Sequence, residues 1–317
     1  MLNGRTARAL LPLLALTLLS HFATAQQDNV VIESERLAAK VHVLYGRGGN
    51  MLLFAGEERT FLVDDQLEPL SEKIQAQIAT ITPRPVDFVL NTHYHGDHTG
   101  GNENFGRSGA VIFSHDHTRE LMQEARFNVV FDTEGEVAKP EDLPIVTFSE
   151  DMHFHIDGVD IEVFHIPRAH TSGDAVVRLP SLDIIHMGDV FFNGLYPYVD
   201  ISAGGRVSGV LAACEALLAT AEDETKIVPG HGKATDRAGL GFYVEMLKEF
   251  QAKAQQALAA EESLETFVAK KISAAYDDPW AESWLTGDQI SKIVYLSEQA
   301  DLHDARSLDG ERGFGID

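Results

Sequence analysis

The chain has 317 residues, 44% hydrophobic and 23% charged, a globular balance that excludes intrinsic disorder. Its 25 Lys and Arg against 49 Asp and Glu leave a formal net charge of −24, so phosphate backbones and anionic lipid surfaces are repelled at long range and no nucleic-acid partner is expected. A single cysteine, Cys214, excludes an intrachain disulfide and a Cys-rich metal knuckle; within the apolar run 209–218 it reads as a small core residue.

Arg5 and Arg8 precede an apolar run over 9–19, and Ala23-Thr24-Ala25 is the small-x-small pattern accepted before Gln26. This is the signature of a secretory signal peptide over 1–25. The run is shorter than the roughly 20 apolar residues that span a bilayer, and no later segment approaches that length. The mature protein is therefore expected to be periplasmic or secreted, without stable membrane insertion, and its net charge falls to −26 as two arginines and no acid are lost.

Short apolar runs between turn residues predict strands over 41–45, 51–55 and 60–63, a meander. Leu70, Ile74, Ile78 and Ile81 then fall at helical spacing within 69–81. A buried strand over 86–90 leads into a His-rich turn, followed by a strand over 110–114 and a helix over 115–126. The second half repeats the scheme: strands over 145–148, 152–156, 159–166, 175–178 and 183–187, a loop to Arg206, a helix over 207–221, and a strand over 226–228 ending in Pro229-Gly230-His231-Gly232. Strands then helices, twice, predict two αβ halves packed sheet to sheet. Tyr243, Leu247, Phe250, Ala254 and Leu258 form one stripe of an amphipathic helix over 239–260, and 263–299 is helical again around Asp277-Asp278-Pro279. The expected organisation is a signal peptide over 1–25, a main domain over 26–240 and a helical extension over 241–317 packed on the core, with 309–317 frayed.

The most informative stretch is Asn91-Thr92-His93-Tyr94-His95-Gly96-Asp97-His98-Thr99-Gly100-Gly101-Asn102. In an extended segment His93 and His95 point the same way, so both can meet one ion, and the turn at Gly96 lets Asp97 and His98 face a second. A solvated turn is the bland alternative, disfavoured because clustered imidazoles repel when protonated. Neutral imidazole and carboxylate suit zinc, and a catalytic zinc needs three protein ligands plus an open position. The missing partners belong in strand-end loops beside glycine. Three residues fit: His170, Asp189 in His186-Met187-Gly188-Asp189, and His231. His115-Asp116-His117 opens a helix with no further ligand set in view and reads as a decoy, while His153 and His155 alternate on a solvent face.

The pattern His93-x-His95-x-Asp97-His98, followed by His170, Asp189 and His231, resembles the metallo-β-lactamase fold superfamily over residues 30 to 240, with all seven ligand positions in the family's order. The resemblance implies an α/β fold, an αββα sandwich with a C-terminal helical extension. It also implies two Zn2+ ions, with Mn2+ or Fe2+ as alternatives: the first on His93, His95 and His170, the second on Asp97, His98 and His231, with Asp189 bridging. His95 stands where diiron oxygen-reducing members carry a carboxylate, which disfavours redox chemistry, and Asp189 with His98 is more similar to glyoxalase II, lactonases and other broad hydrolases. Val63-Asp64-Asp65-Gln66 departs from the family's Asp-x-Gly, leaving Asp64 as the candidate that orients a ligand histidine.

Such a metal pair brings bound water to a pKa of about 7, so no Ser or Cys nucleophile is required. The expectation is an exported dinuclear zinc hydrolase that cleaves an acyl bond in a small molecule (lactone, thioester, ester or β-lactam) by attack of a metal-bridging hydroxide, with Asp97 as the catalytic residue that orients it and moves a proton. The alternatives are a phosphodiesterase or sulfatase, for which Arg168 would supply a cation, and a non-catalytic periplasmic module that binds metal or a partner. Asn193 and Tyr196, in the aromatic loop after Asp189, are candidate substrate contacts, and Gly48-Gly49-Asn50 sits where the family has a flap. Ligands set reaction type and loops set specificity, so the sequence leaves the substrate open, as it does the oligomeric state.

Overall fold

The structure is a computed structural model that describes residues 29–312 apart from 279, 281 and 282; the segment read as a signal peptide lies outside the described residues. The chain enters as an antiparallel meander, β1 Glu33–Ala38, β2 Val41–Tyr45, β3 Met51–Ala55 and β4 Thr60–Val63. Helix α1 (Ser71–Ile81) crosses to β5 (Phe88–Leu90), which lies parallel to β4. Two short helices follow, α2 (Gly96–Thr99) and α3 (Asn102–Arg107), then β6 (Val111–His115), α4 (Asp116–Met122) and a ribbon of β7 (Phe127–Asn128) and β8 (Thr133–Glu134). β9 (Val146–Phe148) completes a seven-stranded sheet in the order β1-β2-β3-β4-β5-β6-β9. The second sheet has five strands in sequence order: β10 (Asp151–Ile156), β11 (Val159–Ile166), β12 (Asp174–Leu179), β13 (Ile184–His186) and β14 (Lys226–Val228). Its last pair is parallel, joined through α5 (Val207–Thr220). Helices α6 (Arg237–Ala259), α7 (Leu264–Ala269) and α8 (Gly287–Arg312) close the chain.

Alternation along the strands decides which face is buried where. Val41, Val43, Phe54, Phe61, Val63 and Leu90 of the first sheet meet Ile161, Val163, Val177, Leu179 and Val228 of the second in one apolar layer. Phe61, Phe88 and Phe113 pack around Phe154 in this layer, with ring centroids 4.8 to 5.7 Å from it. The opposite face of the first sheet, through the paired Leu53, Leu62, Val89 and Ile112, is equally buried, as are Ile74 and Ile78 of α1. The opposite face of the second sheet, Val176, Ile185 and Ile227, joins Val210 and Cys214 of α5, Leu247 and Phe250 of α6 and Ile293 of α8 in a second core. Helix, sheet, sheet, helix is the predicted αββα sandwich. Each fully buried Leu, Val or Phe in these layers contributes about 1.5–3 kcal/mol. No helix among the described residues is long and apolar enough to cross a membrane.

Several expectations shift. The exposed, polar β1 exists because it pairs with β2, and its side chains show no alternation to announce it. The helix predicted over 115–126 ends at Met122 and is followed by the β7–β8 ribbon. The region 263–299 splits into α7 and the start of α8, and α8 continues to Arg312, so the end expected to fray over 309–317 is helical over 309–312 and its remainder lies outside the described residues. The boundary at 240 falls inside α6, because Asp236 accepts the N–H groups of Ala238 and Gly239 and caps the helix there. The extension shares the second core with α5, so no apolar break separates it from the domain.

Candidate metal centre

Every residue of the His-rich pattern leaves the end of a strand. Asp64 follows β4, His93 to His98 follow β5, Asp189 follows β13 and His231 follows β14, while His170 lies in the β11–β12 connection. His95 is extended and caps α2, so His98 falls in the first turn of that helix and faces away from His95 toward Asp189. The ends converge because β4 and β5, like β13 and β14, run parallel and release their chains at one rim of the sandwich.

Hydrogen bonding fixes the tautomer of four imidazoles. Thr92 Oγ donates to Asp64 Oδ2 at 2.8 Å, so the 3.1 Å contact to His93 Nδ1 requires that nitrogen to carry the proton. His95 Nε2 meets Asp200 Oδ2 at 3.2 Å, His170 Nδ1 meets the Tyr198 carbonyl at 2.7 Å, and His98 Nδ1 meets Asp64 Oδ2 at 2.7 Å. Each of these acceptors is a carbonyl or carboxylate oxygen, so each ring donates on that side and turns its other nitrogen into the centre. Three such nitrogens face one another: His93 Nε2 and His170 Nε2 stand 3.0 and 2.9 Å from His95 Nδ1. Three nitrogens at that spacing, with Asp189 beside them, form a donor set that could hold a metal ion.

A second group lies beside the first. His98 Nε2 is 3.4 Å from His231 Nε2, and Asp97 Oδ2 is 3.3 Å from His231 Nε2. Asp189 stands between the groups, with Oδ2 3.6 Å from His170 Nε2 and 3.4 Å from His231 Nε2, and Oδ1 3.1 Å from His98 Nε2. Asp189 Oδ1 is buried without a hydrogen-bond partner, the mark of an oxygen made to meet an ion. Within each set, His93, His95, His170 and Asp189 or Asp97, His98 and His231, the ligand atoms lie within 4.8 Å of one another.

The electrostatics divide the donor set: His93 and His170 are neutral, whereas His98 and His231, beside the carboxylates, hold a proton that a metal ion would displace. Burial pulls His93 well below the usual imidazole range and His170 down to about 4, so both stay neutral, the form that binds a metal. Burial also works against charge on His231, yet Asp189 and Asp97 raise its pKa to about 9, and His98 is raised by Asp189, Asp97 and Asp64. Against the opposing effect of burial, His231 and His98 hold Asp189 well below the carboxylate range, and His98 and His231 do the same for Asp97. The carboxylates therefore stay ionised and ready for a cation.

The surrounding loops leave no slack. A Cβ at Gly49 would stand 2.0 Å from His98 Cε1, and one at Gly230 would stand 2.0 Å from Asp189 Oδ1, so only glycine lets these chains pass. Asn50 Nδ2 donates to the carbonyls of Pro229 at 2.8 Å and Gly232 at 2.7 Å, and Gln66 Nε2 donates to that of Gly49 at 2.6 Å. The Gly48-Gly49-Asn50 turn, expected as a flap, is a brace for the loop of His231.

The two candidate substrate contacts face elsewhere. Tyr196 is 2% exposed, its hydroxyl donates to Asp277 at 2.6 Å and its ring lies 5.2 Å from Trp280, because the C-terminal extension covers that part of the loop. Asn193 Nδ2 donates to the Lys233 carbonyl at 2.8 Å, and its backbone N–H donates to that of His231 at 3.0 Å, so it supports the His231 loop. Arg168 is bound to Asp301 and Asp304 of α8 and supplies no cation to the centre.

Sequence reasoning missed Asp200 and an aromatic wall. Asp200 is buried, accepts from Tyr94 Oη at 2.6 Å and orients His95, while its Oδ1 caps the turn Ile201–Ala203. That capping pattern, Asp-Ile-Ser-Ala, was the one signal in the sequence. Tyr198 lies 5.6 Å from the His95 ring, Phe131 packs on Tyr198 at 5.2 Å, and Trp284 stacks on Phe131 at 5.5 Å with 53% of its surface exposed. These rings run from the centre to the surface. Next to His95, a cavity of about 460 Å³ is lined by Tyr94, Arg126, Asn128, Asp200 and Ser202 among others.

A family model described as the metallo-beta-lactamase superfamily matches residues 44–231. The chain belongs to the metallo-beta-lactamase superfamily. Among curated relatives, the 2,4-dinitroanisole O-demethylase subunit alpha of a Nocardioides strain is 24% identical over 68% of this chain and 62% of its own length. The metallo-beta-lactamase type 2 of a Bacillus strain is 24% identical over 59% of this chain and 64% of its own. The chain thus spans less than two thirds of either relative. A solved metallo-beta-lactamase from Pontibacter korlensis shares the fold, with a TM-score of 0.54 at 24% identity, covering 68% of this chain and 99% of that one.

Proposed function

We propose that this metallo-beta-lactamase superfamily member is an exported dinuclear zinc hydrolase that cleaves an acyl bond in a small molecule: a lactone, thioester, ester or β-lactam. The convergence of bare nitrogens from His93, His95 and His170, beside His98 and His231 and across Asp189, carries this reading. Two divalent ions held there would supply a Lewis acid for a carbonyl and water acidic enough to react near neutral pH.

The residues of the chain supply the rest. Asp97 is one third exposed and lies 3.3 Å from His231 Nε2, so it is the carboxylate of the centre that reaches the solvent side, placed to hold and move the proton of the attacking water. Asp200 and the Tyr198 carbonyl fix His95 and His170, and Asp64 fixes His98, so the ligand geometry is set before substrate arrives. The rings of Tyr198, Phe131 and Trp284 offer an apolar surface beside the centre for the organic part of the substrate. The pairing of Arg168 with Asp301 and Asp304 withdraws the residue that favoured a phosphodiesterase or sulfatase.

Turnover on lactone, thioester, ester, β-lactam and phosphodiester probes, measured with zinc and after chelation alongside metal analysis, tests the reading. Chelator-sensitive turnover on an acyl probe is expected. Fewer than one ion per chain after zinc loading, or turnover indifferent to complete metal removal, overturns it.

A further inference from the structure

The C-terminal extension grips the backbone that sets two of the convergent imidazoles. Residues 169–172, which include His170, run beside residues 200–206, which include Asp200. The Asp200 N–H donates to the His170 carbonyl at 2.8 Å, the Ser172 N–H to that of Ala203 at 2.9 Å and the Arg206 N–H to that of Ala169 at 2.8 Å. A Cβ at Gly205 would stand 2.2 Å from the His170 carbonyl oxygen, and one at Gly209 would stand 1.9 Å from that of Arg168, so the two segments and the first turn of α5 pack without a gap. Arg168 and Arg206 stand at one end of this paired piece, and both meet α8. Arg168 Nη2 pairs with Asp304 and lies 3.5 Å from Asp301 Oδ1, while Arg206 Nη2 lies 3.2 Å from Asp304 Oδ2 and Arg206 Nε 3.5 Å from Asp301 Oδ1. The start of α5 is held by the same helix: the Val207 N–H donates to the buried Ser297 Oγ at 2.8 Å, and Ser208 Oγ donates to Asp301 Oδ2 at 2.6 Å.

On the reading of this centre as a metal site, we propose that Asp301 and Asp304 of α8 are positioning residues for it, acting through Arg168 and Arg206 on the segments that set His170 and His95. The Tyr198 carbonyl orients His170 and Asp200 orients His95, so two of the three nitrogens of the first group take their direction from this clamped piece. Exposed ion pairs contribute little when isolated. Here two carboxylates are shared by two arginines, and the Arg206 side chain is only 12% exposed, with Nε buried and without a hydrogen bond. Removing the carboxylates would leave that guanidinium uncompensated, and the backbone would have to shift to bring it to water. Arg168 also adopts a left-handed φ of 54°, a strained conformation for a side-chain-bearing residue that persists only where its surroundings hold it.

The second group is held from other directions. Asp64 fixes His98, while Asn50 and Asn193 brace the loop of His231. The clamp therefore acts on the group of His93, His95 and His170 and spares that of Asp97, His98 and His231, a selectivity that general destabilisation would not produce.

Two full-length backgrounds separate the groups. His98→Ala/His231→Ala keeps the first, and His95→Ala/His170→Ala keeps the second. Zinc affinity in each is measured by competition with a chromogenic chelator, with and without Asp301→Asn/Asp304→Asn. The added substitutions are expected to weaken binding about 10-fold in the first background, the lower end of what losing a group that orients a ligand costs, and by less than about twofold in the second. Equal weakening in both backgrounds, or none in the first, overturns the proposal and leaves the metal site standing. Failure of the wild-type protein to bind zinc overturns the metal reading and the clamp with it. Circular dichroism verifies folding; if the double carboxamide variant unfolds, Arg168→Gln, at an exposed position, takes its place, with the same split expected and the same outcomes against it.

Discussion

Asp64 Oδ2 lies 2.7 Å from His98 Nδ1, and this contact decides which nitrogen of His98 is offered to a cation. Asp64 also accepts the Thr92 N–H at 2.7 Å and the Thr92 hydroxyl at 2.8 Å, and through Thr92 it fixes His93 as well. One carboxylate thus orients a histidine in each of the two candidate metal groups, although Asp64 itself adopts a left-handed φ of 60° to do so.

Asp64→Asn is therefore expected to weaken metal binding in both groups about 10- to 100-fold, because the amide no longer enforces the proton on His98 Nδ1. Competition with a chromogenic chelator measures this. Unchanged affinity for both ions would assign Asp64 a purely structural part.

Asp97→Asn is expected to lower kcat about 10²- to 10⁴-fold, the range for losing a group that moves a proton, while the ion on His93, His95 and His170 is retained. Steady-state rates on protein of known metal content are the check. Full turnover with both ions bound would remove Asp97 from the chemistry.

The aromatic wall predicts a split between binding and chemistry. The chain has two tryptophans; Trp280 is 5% exposed and Trp284 53%. Trp284→Ala is expected to raise KM several-fold for probes with a bulky apolar group and to leave kcat within about twofold, as for a contact shared by ground and transition states. The fluorescence change on binding such a probe should disappear with Trp284. Equal KM values for bulky and small probes would place the substrate elsewhere.

Acid should loosen the contact between α4 and β11. Burial, with His165 alongside, lowers the pKa of His115 from 6.5 to about 4. The unfolded chain therefore takes up this proton at a higher pH than the folded one, and the stability His115 contributes is present above about pH 6.5 and lost as pH falls toward about 4. In metal-free protein the melting temperature should drop across that window, and His115→Gln should flatten the drop. Identical pH profiles would show that His115 titrates alike in both states.

The seven residues that the fold brings together were legible because each lies in the connection after an apolar strand, four of them (His95, Asp97, Asp189 and His231) directly beside a glycine. Strands such as β11 and β14 were legible to the residue, since their β-branched runs are bounded by turns. What escaped depends on tertiary pairing. β1 is a polar edge strand held by β2, and Tyr196 looked available until the C-terminal extension covered it. Asp200 lies more than 100 residues from the histidine it orients. His165 likewise joins His115 and His117 only when the two sheets pack, so the local pattern contained the pair and not the cluster.

The central claim is that the convergent nitrogens exist to bind metal and that the metal enables hydrolysis. Zinc titrated into fully chelated protein, followed by turnover of an acyl probe, tests it most directly. No turnover is predicted in the chelated protein, with activity restored as ions fill the centre and no restoration in His93→Ala/Asp189→Ala. Turnover in fully chelated protein at the rate of the zinc-loaded enzyme would contradict it.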